Sequence, residues 1–133
     1  MIFESRHISQ VIGRDPGAVA AYAGNPANLP RWAEGLSSGI RLENGRWLAD
    51  SPMGAVEVRF LGGLEFGILD HDVLMPDGTI FHNPMRVVRN GDASEIIFTL
   101  YRWAGTSDDD YEKDAAMIRS DLARLRAILE AQG

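Results

Sequence analysis

Cysteine is absent from this 133-residue chain, which excludes disulfides, thiolate metal ligation and a cysteine nucleophile. No apolar run approaches the roughly 20 residues needed to span a bilayer. The opening MIFESRHISQ carries Glu4, Arg6 and His7 and lacks the apolar core of a secretory signal. A cytoplasmic protein without membrane insertion is expected. Basic residues are scattered rather than clustered, and the formal net charge is −6. A phosphate backbone needs a cationic footprint, so no nucleic acid partner is expected. Paired metal-ligand spacings of the HxxxH kind are also missing. The expectation is therefore no metal and no cofactor.

What is present is ordinary for a globular protein: 45% hydrophobic and 24% charged residues, in a length that suits one domain with its own core. Residues 2–12 read as a strand. Asp15-Pro16 caps and starts a short helix through Val19, Ala20, Tyr22 and Ala23, and Gly24 stops it. Asn25-Pro26 repeats the signal, and Leu29, Trp32, Ala33 and Leu36 give a second short helix an apolar face that Pro30 breaks or kinks. Strand texture follows. Asn44-Gly45 marks a two-residue hairpin, Ser51-Pro52-Met53-Gly54 a further turn, and Val56, Val58 and Phe60 alternate with Glu57 and Arg59. Phe66 to Val87 reads as two long strands around Pro76-Asp77-Gly78, with Gly78 left-handed. Asn90-Gly91 then turns into a strand from Glu95 to Trp103. Thr106 or Ser107 caps the last helix, whose first turn holds Asp108, Asp109 and Asp110. Tyr111, Ala115, Ile118, Leu122, Leu125 and Leu129 form one apolar stripe along about 24 residues.

A strand, two short helices, a run of hairpins and a long helix predict an α+β fold. In it, a curved antiparallel sheet of about seven strands wraps the C-terminal helix. The order resembles the helix-grip fold of the START-like, or SRPBCC, superfamily, which includes polyketide cyclases and birch-pollen-allergen-like proteins. The carriers are the Asp15-Pro16-Gly17-Ala18-Val19 entry, the Asn25-Pro26-Ala27-Asn28-Leu29-Pro30-Arg31-Trp32 stretch and the terminal helix. The resemblance spans residues 1–133 as a single domain and implies a cavity for apolar small molecules. That superfamily has no universal catalytic signature, so chemistry stays open.

Turn lengths set registers, and registers set faces. A three-residue Pro76-Asp77-Gly78 loop places His71 opposite Asn83. A two-residue Asn90-Gly91 loop places Asn83 opposite Phe98 and Met85 opposite Ile96. One face then carries Leu69, His71, Val73, Phe81, Asn83, Met85, Val87, Ile96, Phe98 and Leu100, and is assigned to the interior. Asp70, Asp72, His82, Arg86, Ile97, Thr99 and Tyr101 fall outside, where a solvated polar row is a simpler reading than a metal site. His71 and Asn83 are two polar groups aimed into an apolar interior. They either bond each other or a buried water, or they meet a ligand.

The turn after Asp50-Ser51 has two possible lengths. A two-residue Pro52-Met53 loop puts Ser51, Ala49 and Trp47 inward, whereas a three-residue loop puts Asp50 and Leu48 inward. The candidate ligand-binding set is His71, Asn83, Ser51, Asp50, Trp47, Met85, Phe81 and Phe98, with His71 the candidate catalytic acid or base. A Ser51–His71 nucleophile pair has no accompanying elbow. Trp32, Trp47, Tyr22 and Trp103 read as core or rim aromatics, and Met53 and Met85 as gap fillers.

Three functions compete: binding of an apolar or lipid-like small molecule; a cyclase-, dehydratase- or hydrolase-like reaction with His71 as acid/base; and a protein-interaction module or homodimer through the outer face.

Overall fold

Alternation and turn chemistry decide most of the architecture. The computed structural model describes residues 1–133. Strand β1 (Ser5–Ile12) buries Ile8 and Ile12 on one face; it begins at Ser5 rather than at residue 2. Asp15 caps α1 (Pro16–Ala23), its carboxylate accepting the Ala18 N–H at 3.2 Å. The next segment divides. A 3-10 turn over Pro26–Asn28, capped by Asn25, leads into one α-turn, α2 (Leu29–Trp32). Pro30 lies within that first turn, where a missing N–H is harmless, so the break falls before it. A second 3-10 turn covers Glu34–Leu36.

Strands β2 (Arg41–Glu43), β3 (Arg46–Ser51), β4 (Gly54–Phe60), β5 (His71–Leu74) and β6 (Ile80–Asn83) form an antiparallel sheet in that order. Strands β7 (Met85–Asn90) and β8 (Ala93–Tyr101) pair with each other, and β8 pairs with β1. Pro84 separates β6 from β7, because it has no N–H to give a ladder. The hairpin register nevertheless runs on across the break, through the Ile68–Arg86 bridge and hydrogen bonds from Leu69 N–H to Met85 and from Val87 N–H to Gly67. The two sheets therefore act as one creased surface.

Asn44 and Gly45 are both left-handed at φ 51° and 77°, as a primed two-residue turn requires. The last hairpin differs from the sequence expectation. Asn90 pairs with Ala93 and Met85 with Phe98, so Gly91-Asp92, not Asn90-Gly91, forms the loop. Gly91, at φ 59°, supplies the left-handed residue at the first loop position. The two-residue slip preserves strand parity, and every face assignment with it.

Ser107 caps α3 (Asp108–Gln132), its hydroxyl accepting the Asp110 N–H at 3.1 Å. The helix leans on β1 and β8. Tyr111, Ala115, Leu122, Leu125 and Leu129 are fully buried against Ile8, Ile12, Val87, Ile96 and the α1 residues Val19, Ala20 and Ala23. Ile118 alone in the stripe stays only partly buried. No helix is long and apolar enough to cross a membrane.

Gly67 sits at φ 75°, and a Cβ there would run into the Val87 carbonyl oxygen, across the join between the two sheets. Gly67→Ala is expected to lower unfolding stability by about 2 kcal/mol. An unchanged urea midpoint would show that the join tolerates a side chain.

Candidate functional site

The exposed flank of Ile118 marks where the helix and sheet part. Because α3 follows β1 and β8, the inner face of β5 and β6 is left uncovered, and a cavity of about 370 Å³ opens there. The sheet contributes His71, Val73, Phe81, Asn83, Phe98 and Leu100; α3 contributes Asp114, Met117, Ile118, Asp121 and Leu122. Leu29, Trp32, Ala33 and Leu36 close the remaining side. Twelve of the seventeen lining residues are hydrophobic, the composition expected of a small-molecule site. A larger recess of about 550 Å³ lies between α1 and the Leu64–Phe66 turn, but only five of its ten lining residues are hydrophobic, and no candidate residue reaches it. Phe81 also borders a second recess of about 420 Å³ formed with Met53, Met75 and Pro76 at the hairpin tips.

His71 begins β5 directly across from Asn83, as the three-residue loop dictates. The two side chains do not bond each other. His71 Nδ1 lies 3.0 Å from the Leu69 carbonyl oxygen, and Asn83 Nδ2 donates to the Phe81 carbonyl at 3.3 Å. Each thus reaches back to the backbone two residues earlier in the chain. A carbonyl only accepts, so the bond assigns the imidazole proton to Nδ1 and leaves Nε2 as an unpaired acceptor. Phe60 and Phe98 flank the ring at centroid distances of 5.1 and 6.2 Å. Burial in this apolar setting pushes the His71 pKa below the ordinary imidazole value, against the Leu69 bond and the nearby aspartates, which act the other way. The imidazole at the cavity wall is therefore neutral near pH 7.

Phe81 and Phe98 line the cavity with His71 and Asn83. Met85 lies on the same face but is fully buried in the core beneath it. Trp47 faces inward in the row of Val58 and Val73, two strands beyond the cavity. Ser51 pairs with Gly54, so the loop has two residues and Asp50 is turned outward. Asp50 is a correction to the candidate set: its side chain is 79% exposed and bonds Arg41 at 3.1 Å. Ser51 is occupied by its own turn, donating to the Gly54 carbonyl at 2.7 Å and accepting the Met53 N–H at 3.2 Å. Its partner Gly54 and the His71 partner Phe60 stand six residues apart along β4, about 20 Å at the strand rise, so no Ser51–His71 pair exists. Trp32 and Trp103, read as core or rim aromatics, both border the cavity.

On the outer face the polar row is paired within itself. Asp70 accepts two bonds from Arg86, at 2.9 and 2.8 Å, plus the Met85 N–H at 2.9 Å. The Arg86 guanidinium holds its carboxyl below the usual range. His82 Nδ1 meets Asp72 at 2.7 Å.

Two cavity-lining carboxylates are absent from the sequence-derived set: Asp114 and Asp121. They lie seven residues apart on α3, beside the apolar stripe, and that heptad spacing of carboxylates next to Ile118 and Met117 was the available signal. Asp121 accepts the Glu34 N–H at 3.2 Å and Arg124 at 3.3 Å, and Arg124 donates to the Trp32 carbonyl at 2.9 Å. This clasp pins the Ala33–Leu36 wall to α3. Burial raises the Asp121 pKa, partly offset by those bonds.

Since the folded-state pKa of His71 is lowered, the unfolded chain binds the extra proton first as pH falls through about 6.5. Stability contributed by the neutral imidazole is present above that pH and lost below it. Urea midpoints at about pH 7.5 and about pH 5.5 should drop less for His71→Gln than for the native chain. Equal drops would mean that His71 titrates normally.

No protein-family profile and no curated protein matches the sequence. Solved structures do match in shape. An uncharacterised protein from Bacillus thuringiensis superposes with TM-score 0.74 at 14% identity, over 95% of this chain and 98% of that one. The allergen Ara h 8.0201 gives 0.68 at 10% identity, over 98% and 99%. A START superfamily protein from Mycobacterium smegmatis gives 0.67 at 9% identity, over 97% and 99%. The chain has the helix-grip fold.

Proposed function

We propose that this helix-grip domain binds an apolar small molecule in the cavity between β5, β6 and α3. The observation that carries the reading is His71 Nε2, an acceptor with no protein partner on an otherwise apolar wall. Asn83 adds an amide oxygen and one spare N–H at the same cross-strand position. A few unspent polar groups on an apolar lining orient a ligand that hydrophobic burial retains. A neighbour classed as START superfamily shares this architecture, which supports the reading at the level of fold.

A reaction is the second reading, and one feature favours it. His71 is neutral, its Nδ1–H is fixed by the Leu69 carbonyl, and its Nε2 is free, the arrangement a general base requires. No second group stands in hydrogen-bond contact with His71 Nε2 to complete a relay, so binding is the leading reading.

Native mass spectrometry of the purified protein should show a co-purified apolar mass or, with a neutral fluorescent apolar probe added, a one-to-one complex. Val73→Phe fills the cavity from the sheet side and should abolish that complex while leaving the unfolding free energy within about 1 kcal/mol. Undiminished binding in the stably folded variant would place the ligand elsewhere.

A further inference from the structure

We infer that the ligand of this cavity carries a protonated amine, its apolar body lying between sheet and helix and its ammonium seated at the mouth beside Asp114. The inference rests on the binding reading above and adds the ligand's charge.

The charge inventory of the wall carries it. The ionisable lining residues are His71, Asp114 and Asp121; no lysine or arginine is among them. Asp121 is already spent on the Glu34 N–H and on Arg124. Arg124 is spent in turn on Asp121 and the Trp32 carbonyl, so it offers no free cation to an incoming anion. Asp114 has no hydrogen-bond or ion-pair partner in the chain, although it borders the cavity at the solvent-facing end of the α3 wall. Burial raises its pKa, and Asp110 four residues earlier adds to the rise. Glu34 adds further negative charge beside Asp121. Lys113 is adjacent in sequence but lies on the exposed flank, outside the lining.

Deeper in, the wall offers nothing to a carboxylate. His71 Nε2 presents a lone pair, and the Asn83 amide across from it is a neutral donor. A ligand carboxylate would therefore lose its hydration without meeting a cation, the situation that makes buried charge costly. An ammonium at the mouth finds an unpaired carboxylate while keeping part of its hydration. Its apolar body fills the space beside Ile118, Phe81 and Phe98, and a hydroxyl or amine N–H along that body has Nε2 to donate to.

The test is a matched trio, naphthylethylamine, naphthylethanol and naphthylacetate, titrated calorimetrically near neutral pH at low salt. Attraction at a partly solvated carboxylate is worth up to about fivefold, and repulsion of the anion widens the span, so the amine should bind about tenfold tighter than the carboxylate. Asp114→Asn should close that gap and leave the alcohol unchanged. Asp114 makes no bond within the chain, so the variant keeps the fold. Raised salt should narrow the gap as well. A carboxylate that binds as tightly as the amine, or a gap that survives in Asp114→Asn, overturns the inference while leaving the cavity reading intact. If none of the three binds, the cavity reading itself fails.

Discussion

Burial of the α3 stripe against the sheet is the constraint from which the other features follow. The helix settles on β1 and β8, where Leu122, Leu125 and Leu129 join Ile8, Ile12 and Ile96 in one buried cluster. A straight rod of 25 residues cannot follow a sheet that twists and creases away from it. Beyond β8 the two surfaces separate, and β5 and β6 face a gap. The cavity is the geometric remainder of good packing elsewhere. Ile118 records this in a single residue: it belongs to the stripe by spacing and to the cavity by position.

The arrangement of polar groups on that wall is set by backbone rather than by side-chain partnership. His71 and Asn83 face each other across β5 and β6, yet each is tied to a carbonyl two residues earlier in the chain. A bond from the Asn83 amide to His71 Nε2 would have spent the acceptor that is now free. Anchoring to the backbone fixes both side chains and keeps an acceptor on each turned to the gap. The clasp of Asp121 and Arg124 does similar work on the opposite wall, holding the short 3-10 segment as a lid edge. Such preorganisation reduces the entropy lost when a ligand is ordered.

Much of this was legible in the sequence because strand parity is robust. The Pro76-Asp77-Gly78 loop placed His71 opposite Asn83, and that pairing is present. At Asn90-Gly91 the loop was misplaced, but an error of two residues moves a partner without changing its face, so Met85, Ile96 and Phe98 remained inside. The turn after Ser51 was undecidable because Pro52-Met53 suits either length; the answer removes Asp50 from the interior. Asp114 and Asp121 escaped notice for a different reason. A helix stripe is recognised by its apolar members, and carboxylates at its margin read as the solvated side until the sheet is known to fall away there. Pro84 was likewise visible as a residue, but its consequence, a crease between β6 and β7, depends on which strands lie beside it.

That crease has a consequence for how the cavity responds to its surroundings. Asp70 and His71 are adjacent in sequence and on opposite sides of the surface. Asp70 bridges the break left by Pro84, accepting the Met85 N–H and the Arg86 guanidinium, and stays ionised well into acid. His71, one residue on, is kept uncharged by burial. A single peptide step thus separates an anion outside from a neutral base inside. Around neutrality the curved wall has a constant electrostatic character.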